Sequence, residues 1–194
     1  KDWGISRQRY WGCPIPMIYL DDGSCVPVDK SELPVKLPKN INLQSSGNPL
    51  DNHPDWKKTF HKKTGKPAIR ETDTLDTFVD SSWYHLRFAS DESSKVDPFN
   101  KERLKNWLPV HQYTGGAEHA VMHLLYARFF NKVLRDLGFV DFDEPYQNLF
   151  NQGVLLKDHQ KISKRSNPLA PDPLVKEFGA DAVRLYLMFL GPWD

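Results

Sequence analysis

The stretch that most constrains the fold of this chain is Tyr113 to Gly138, YTGGAEHAVMHLLYARFFNKVLRDLG. A short apolar run, Leu108 to Tyr113, leads into Gly115-Gly116, and a helical pattern then continues to Gly138, placed as a C′ glycine. A strand, a glycine turn and a helix start make a seat for an anionic or nucleotide ligand. The turn lets backbone approach closely, and the free N–H groups favour negative charge. Between Ala120 and Phe130 only His123 and Arg128 are strongly polar. The pattern therefore predicts one helix, roughly 30 Å long, buried almost all round. Its two histidines, His119 and His123, are then either core filler or pocket lining.

At 194 residues the chain suits one domain with at most a small appendage. Lys and Arg total 26 against 25 acidic residues, so any nucleic-acid contact must be local rather than a general property of the surface. No apolar run approaches membrane-spanning length and no signal peptide is visible. Cys13 and Cys25 have neither metal-motif spacing nor the density of a secreted scaffold. A cytoplasmic protein without a membrane partner is expected. The sequence opens at Lys1 and stops straight after an apolar helix, so it reads as an excerpt from a longer protein.

Pro14 and Pro16 exclude a helix in the first segment and predict an edge or irregular strand, with Asp22-Gly23 as a hairpin turn. Arg7 and Arg9 read, on composition, as a solvated strand end. Residues 29–70 are rich in Pro, Asn, Lys and Ser and read as a loop-rich insertion anchored by Trp56 and Phe60. In Glu71 to Ala89, Asp76 or Thr77 can cap a helix that begins near Phe78. Phe78, Ser81 or Ser82, and Tyr84 or His85 then share neighbouring turns, either lining an apolar pocket or packing as ordinary core. A short helix is expected over Lys101 to Trp107 and a strand over Gln147 to Leu156. Lys157 to Arg165 reads as a polar loop, and the helices Asp172 to Phe178 and Ala180 to Leu190 close the chain. Strands alternating with helices predict an α/β fold with a parallel sheet, only part of which is present.

The chemistry-bearing residues are few. His119 and His123 have the i, i+4 spacing of metal ligands, but Ala120 stands where the zincin signature needs Glu, and no third ligand follows. No metal site is assigned. Glu118, just after the glycine turn, can accept hydrogen bonds from ribose hydroxyls, or simply stabilise a helix start. Lys161 and Lys164 flank Ser163 on the polar loop, where two ammonium groups could stabilise charge on a triphosphate or could merely be solvated.

Taken in order, these segments resemble the catalytic domain of class I aminoacyl-tRNA synthetases, most closely the leucyl branch. DWGISRQRYWGCPIP (Asp2 to Pro16) is similar to the segment re-entering that domain after the editing insertion. ETDTLDTFVDSSWYHLR (Glu71 to Arg87) and GGAEHAVMHLLYARFF (Gly115 to Phe130) resemble the leucyl forms of two family motifs. KISKR (Lys161 to Arg165) occupies the place of the KMSKS loop, with Ile162 for Met and Arg165 for the last Ser, and GADAVRLYLMF (Gly179 to Phe189) follows it. The His-Ile-Gly-His motif, the editing domain and the anticodon-binding helices are not in this sequence.

The resemblance implies a partial Rossmann-like catalytic domain with a small loop-rich insertion. It divides into residues 1–28, re-entering the domain; 29–70, the insertion; 71–170, the core with the KISKR loop; and 171–194, a helical junction. It implies that Gly115, Gly116 and Glu118 hold the adenylate, Glu118 on the ribose, with the backbone at Gly153 and Val154 passing the adenine. Phe78, Ser81, Tyr84, His119 and His123 would shape a leucine side-chain pocket. Lys161 and Lys164, with Ser163 between them, would bind the triphosphate as the catalytic cations, and Arg7 and Arg9 would lie near the tRNA acceptor end. The implied substrates are leucine, ATP with magnesium, and tRNA(Leu), without structural zinc, in a monomeric parent enzyme. The isolated segment is expected to be inactive. The other reading is a non-catalytic synthetase-like binding module.

Overall fold

The computed structural model describes residues 2–44, 46–90, 97–163 and 169–190. Ser6–Arg7 (β1) is a two-residue strand, and Pro14 and Pro16 limit the segment after it to a single bridge, Pro14 to Thr74. Met17–Leu20 (β2) and Cys25–Pro27 (β3) form the hairpin expected at Asp22-Gly23. Two further strands arise within the stretch read as loop: Lys58–Phe60 (β4) and Pro67–Arg70 (β5). They complete an antiparallel sheet in the order β3-β2-β5-β4 over Ile18, Val28 and Ala68. Strands of three or four residues give too few alternations to stand out against polar neighbours, which is why the sequence hid them. Trp56 is an anchor, its indole N–H donating to the Lys36 carbonyl at 2.8 Å. Phe60 is not: it is 64% exposed, and Leu50 is the fully buried residue here.

Thr74–Leu75 (β6) pairs antiparallel with β1. Gly12 packs on it so closely that a Cβ would lie 2.6 Å from the Leu75 carbonyl oxygen, a place only glycine fits. Asp76 then caps Thr77–Ser81 (α1), its carboxylate accepting from the Phe78 N–H at 2.9 Å, and the same buried carboxylate pairs with the Arg7 guanidinium. Asp76→Asn keeps the cap acceptor and is expected to cost about 1 kcal/mol, whereas Asp76→Ala loses cap and ion pair and should cost about 3 kcal/mol. Urea unfolding measures both; equal midpoints for the alanine variant and the parent would refute the double role.

Tyr84–Phe88 (α2) is a separate helix from α1, whereas the sequence pattern suggests one. The hydroxyls of Ser81 and Ser82 both turn back onto the Phe78 carbonyl, at 3.2 and 2.5 Å, competing with helix continuation. Lys101–Trp107 (α3) matches its expected bounds and is capped by Asn100. Leu86, Phe99, Leu104 and Leu134 form the second core.

Val110–Gly115 (β7) starts later than expected because Pro109 has no N–H to give the ladder; the Val110 N–H makes the first bond, to the Pro145 carbonyl at 2.9 Å. The single long helix predicted next is broken. A 3₁₀ turn, Ala117–Val121, meets Met122 at φ −129°, ψ −80°, and an α-helix, His123–Asp136 (α4), begins there. Nor is it buried all round. His123, Leu124, Ala127, Asn131 and Leu134 form a buried stripe at helical period, while Leu125 and Phe129 are 43% and 57% exposed. The Asn131 amide donates to the Phe142 and Asp143 carbonyls, fixing the return to Tyr146–Asn151 (β8). β8 runs parallel to β7, from Val110↔Tyr146 to Gly115↔Asn151, making β7–α4–β8 a βαβ unit. The strand expected as far as Leu156 stops at Asn151, because its partner turns away at Gly115-Gly116.

Leu156–Lys157 (β9) and Gln160–Lys161 (β10) form a hairpin within the stretch read as a polar loop, turning through Asp158 and His159 at positive φ. Asp172–Phe178 (α5) and Ala180–Phe189 (α6) end the described chain. The whole is a partial α/β, Rossmann-like fold. No helix among the described residues is long and apolar enough to cross a membrane.

Candidate functional site

At the carboxyl end of a parallel strand, where α/β folds place ligands, β7 delivers Tyr113 and then Gly115-Gly116. Around Tyr113 four side chains from four elements form one hydrogen-bonded chain. The Tyr84 hydroxyl donates to the Tyr113 hydroxyl at 3.0 Å, and Tyr113 Oη lies 2.7 Å from His123 Nε2. His123 Nδ1 lies 2.9 Å from Ser81 Oγ, whose proton goes to the Phe78 carbonyl. The donors fix the tautomer. Tyr113 accepts from Tyr84 and so gives its own proton to Nε2, while Ser81, spent on Phe78, accepts from an Nδ1–H. His123 is thus a neutral imidazole. Burial pushes its pKa below the ordinary 6.5, and His119 nearby adds to the shift. Burial likewise raises the Tyr84 phenol.

The break at Met122 separates the two histidines that i, i+4 spacing would align. His123 is buried, His119 is exposed, and their rings stand perpendicular with centroids 6.2 Å apart. With both His123 nitrogens held by hydroxyls, the pair is not disposed as a metal chelate. Among the described residues no group of three His, Cys, Asp or Glu is gathered around a metal-sized space. His119 instead borders the glycine turn: a Cβ on Gly115 would touch its ring at 3.8 Å. Phe78 packs on Tyr126 at 6.1 Å between centroids, on the α1–α4 side of the same cluster.

The Glu118 carboxylate folds back over Gly116 into the space where a Cβ would begin, so a side chain at 116 would displace this carboxylate. Gln152, just past β8, clamps the turn from the other side. With its amide oriented to satisfy both neighbours, it donates to the Gly115 carbonyl at 2.9 Å and accepts from the Gly116 N–H at 3.3 Å. Gly153 and Val154 follow outside any strand, Val154 56% exposed. Lys161 is exposed at the end of the β9–β10 hairpin, Ser163 is half-buried beside it, and Lys164 lies outside the described residues. Arg7 pairs with Asp76 and donates to the Gly4 and Ser6 carbonyls, so it has a structural role in holding the incoming segment. Arg9 remains exposed.

The structure therefore brings Ser81, Tyr84 and His123 together, sets Phe78, His119, Gly115, Gly116 and Glu118 around them, and keeps the lysine hairpin as a separate element. Sequence reasoning missed Tyr113 and Gln152. The rule that ligands gather at strand carboxyl ends would have found Tyr113, two residues before the glycine turn. Nothing in the sequence points to Gln152, since its bonds depend on the β7–β8 register.

The family model for class I tRNA synthetases (I, L, M and V) matches residues 1–192. The chain belongs to that family. It is 55% identical to a leucine–tRNA ligase of Dehalococcoides mccartyi over 100% of its own length and 24% of the relative's. Against the leucine–tRNA ligase of Campylobacter curvus it is 52% identical, over 99% of this chain and 24% of that one. The crystal structure of the ternary complex of Agrobacterium radiobacter K84 agnB2 LeuRS, tRNA and LeuAMS superposes with a TM-score of 0.91 at 45% identity, covering 100% of this chain and 25% of that one. This chain spans about a quarter of the length of these relatives.

Proposed function

We propose that this segment forms part of the aminoacylation site of a leucine–tRNA ligase, which joins leucine to ATP and passes the leucyl group to the terminal ribose of tRNA(Leu). The observation that carries the reading is the closed chain Tyr84–Tyr113–His123–Ser81 beside the Gly115-Gly116 turn. Its polar atoms satisfy one another, so what faces a ligand is ring surface, suited to a branched apolar side chain. Glu118, folded over Gly116, would accept from ribose hydroxyls, with the backbone near Gly153 and Val154 beside the adenine. Lys161, and with it Ser163 and Lys164, would meet the triphosphate, which arrives with magnesium as part of the substrate. The leucine carboxylate attacks the α-phosphorus in line and pyrophosphate leaves. No residue need form a covalent intermediate, and catalysis is positioning and charge stabilisation. An apolar pocket gains only about 1–3 kcal/mol from one methylene, so it separates leucine poorly from close analogues. Arg7 and the exposed Arg9 would lie near the tRNA acceptor end. A monomeric enzyme of the cytoplasm fits this role.

The test is ATP–pyrophosphate exchange by the full-length enzyme that carries this segment. His123→Ala takes away the acceptor of the Tyr113 hydroxyl and the donor to Ser81 and is expected to raise the leucine KM about tenfold or more, with the ATP KM within about twofold. An unchanged leucine KM would remove His123 from the pocket. A parent enzyme without leucine-dependent exchange would favour the non-catalytic module.

A further inference from the structure

Behind the Tyr84–Tyr113–His123–Ser81 chain lies a second aromatic layer. Tyr146, the first residue of β8, stacks on Tyr113 with ring centroids 3.9 Å apart and planes within 18°. It also lies 6.4 Å from His123 and 5.3 Å from His85, and the His85 ring in turn meets the Tyr84 edge at 5.8 Å. Two of the chain's three rings, Tyr113 and His123, therefore rest on Tyr146 directly, and the third, Tyr84, meets the layer through His85. Its polar atoms do little: both His85 nitrogens are buried without hydrogen-bond partners among the described residues, and the buried Tyr146 hydroxyl makes no more than a weak approach to that of Tyr113. A buried pair with so little hydrogen bonding is held for the shape of its rings. The Asn131 clamp on residues 142–143 and the Val110↔Tyr146 register fix where that shape sits.

Resting on the leucine-pocket reading, we infer that Tyr146, backed by His85, is a positioning residue for amino-acid recognition. Its ring sets the plane of Tyr113, and through the Tyr113 hydroxyl it sets His123 and Ser81. The contribution comes from the ring face and not from the hydroxyl.

The test uses the full-length enzyme and steady-state ATP–pyrophosphate exchange. Tyr146→Leu keeps apolar bulk but removes the planar face. It is expected to raise the leucine KM about three- to tenfold, the range an aromatic pair contributes in coupling, with kcat and the ATP KM within about twofold. Tyr146→Phe should restore the leucine KM to within about twofold of the parent. A Tyr146→Leu enzyme with lower thermal stability but an unchanged leucine KM would reduce Tyr146 to core packing and overturn the inference. Equal damage from Phe and Leu would overturn it by assigning the effect to the hydroxyl. His123→Ala run in parallel separates the two levels. If it raises the leucine KM and Tyr146→Leu does not, only the positioning role falls; if neither does, the pocket reading falls with it.

Discussion

Alanine at both Lys161 and Lys164 is expected to lower leucine-dependent ATP–pyrophosphate exchange by the full-length enzyme about 10²–10³-fold, with the leucine KM little changed. The two ammonium groups belong to the part of the chain farthest in character from the pocket. Lys161 ends a two-stranded hairpin whose turn runs through two residues at positive φ, exposed and held to the preceding chain by the Ile162 N–H bond to the Leu155 carbonyl at 3.2 Å. Cations so presented can follow charge as it moves onto pyrophosphate, which is a kcat effect rather than a binding effect. Exchange retained within tenfold in the double variant would end the assignment. A parallel rise in the leucine KM would mean that the substitutions had disturbed the pocket instead.

The second large effect concerns stability. Burial drives the His85 pKa down to about 4 from the ordinary 6.5, and neighbouring His123 adds to the shift. The unfolded chain takes up a proton near pH 6.5 that the native state refuses until about pH 4. Stability should be complete above about pH 6.5, fall steadily between 6.5 and 4, and level off below, a total of about 3 kcal/mol from this residue. His123 is shifted in the same direction and steepens the same limb. His85→Phe removes the titration and two unpaired buried nitrogens at once. Urea unfolding across that range should show a shallower acid slope for the variant, by up to one proton, with no loss of stability at pH 7. An unchanged slope would show that His85 takes up its proton at the same pH in the folded protein as in the unfolded chain.

How much of this was legible in the sequence depended on whether a feature was local. The cap at Asp76, the hairpin at Asp22-Gly23 and the helix over Lys101–Trp107 rest on residues a few positions apart, and the structure has them. Ser81, Tyr84 and His123 could be named as pocket candidates because helical spacing and motif resemblance both marked them. The break at Met122 could not be read, since Ala117–Asp136 contains no proline and no glycine and its apolar period runs on through the break. The partners that accompany it, Tyr113 and Ser81, come from other elements. For the same reason Tyr113, Tyr146 and His85 look like ordinary aromatic and core residues until the parallel register stacks them. Arg7 read as a solvated strand end because its partner lies 69 residues away.

That separation has a consequence for how the pocket comes into being. The first turn of α1 is held by Asp76, and Asp76 is held by the incoming segment: by the Arg7 guanidinium and by the Ile5 carbonyl, which accepts the Asp76 N–H at 2.7 Å. Ser81 rides at the other end of that five-residue helix, too short to persist by itself in water. The incoming segment therefore works as a latch. Until it closes, the serine that completes the histidine's hydrogen bonding has no fixed place, and whatever moves the latch reaches the Tyr84–Tyr113–His123–Ser81 chain without touching it.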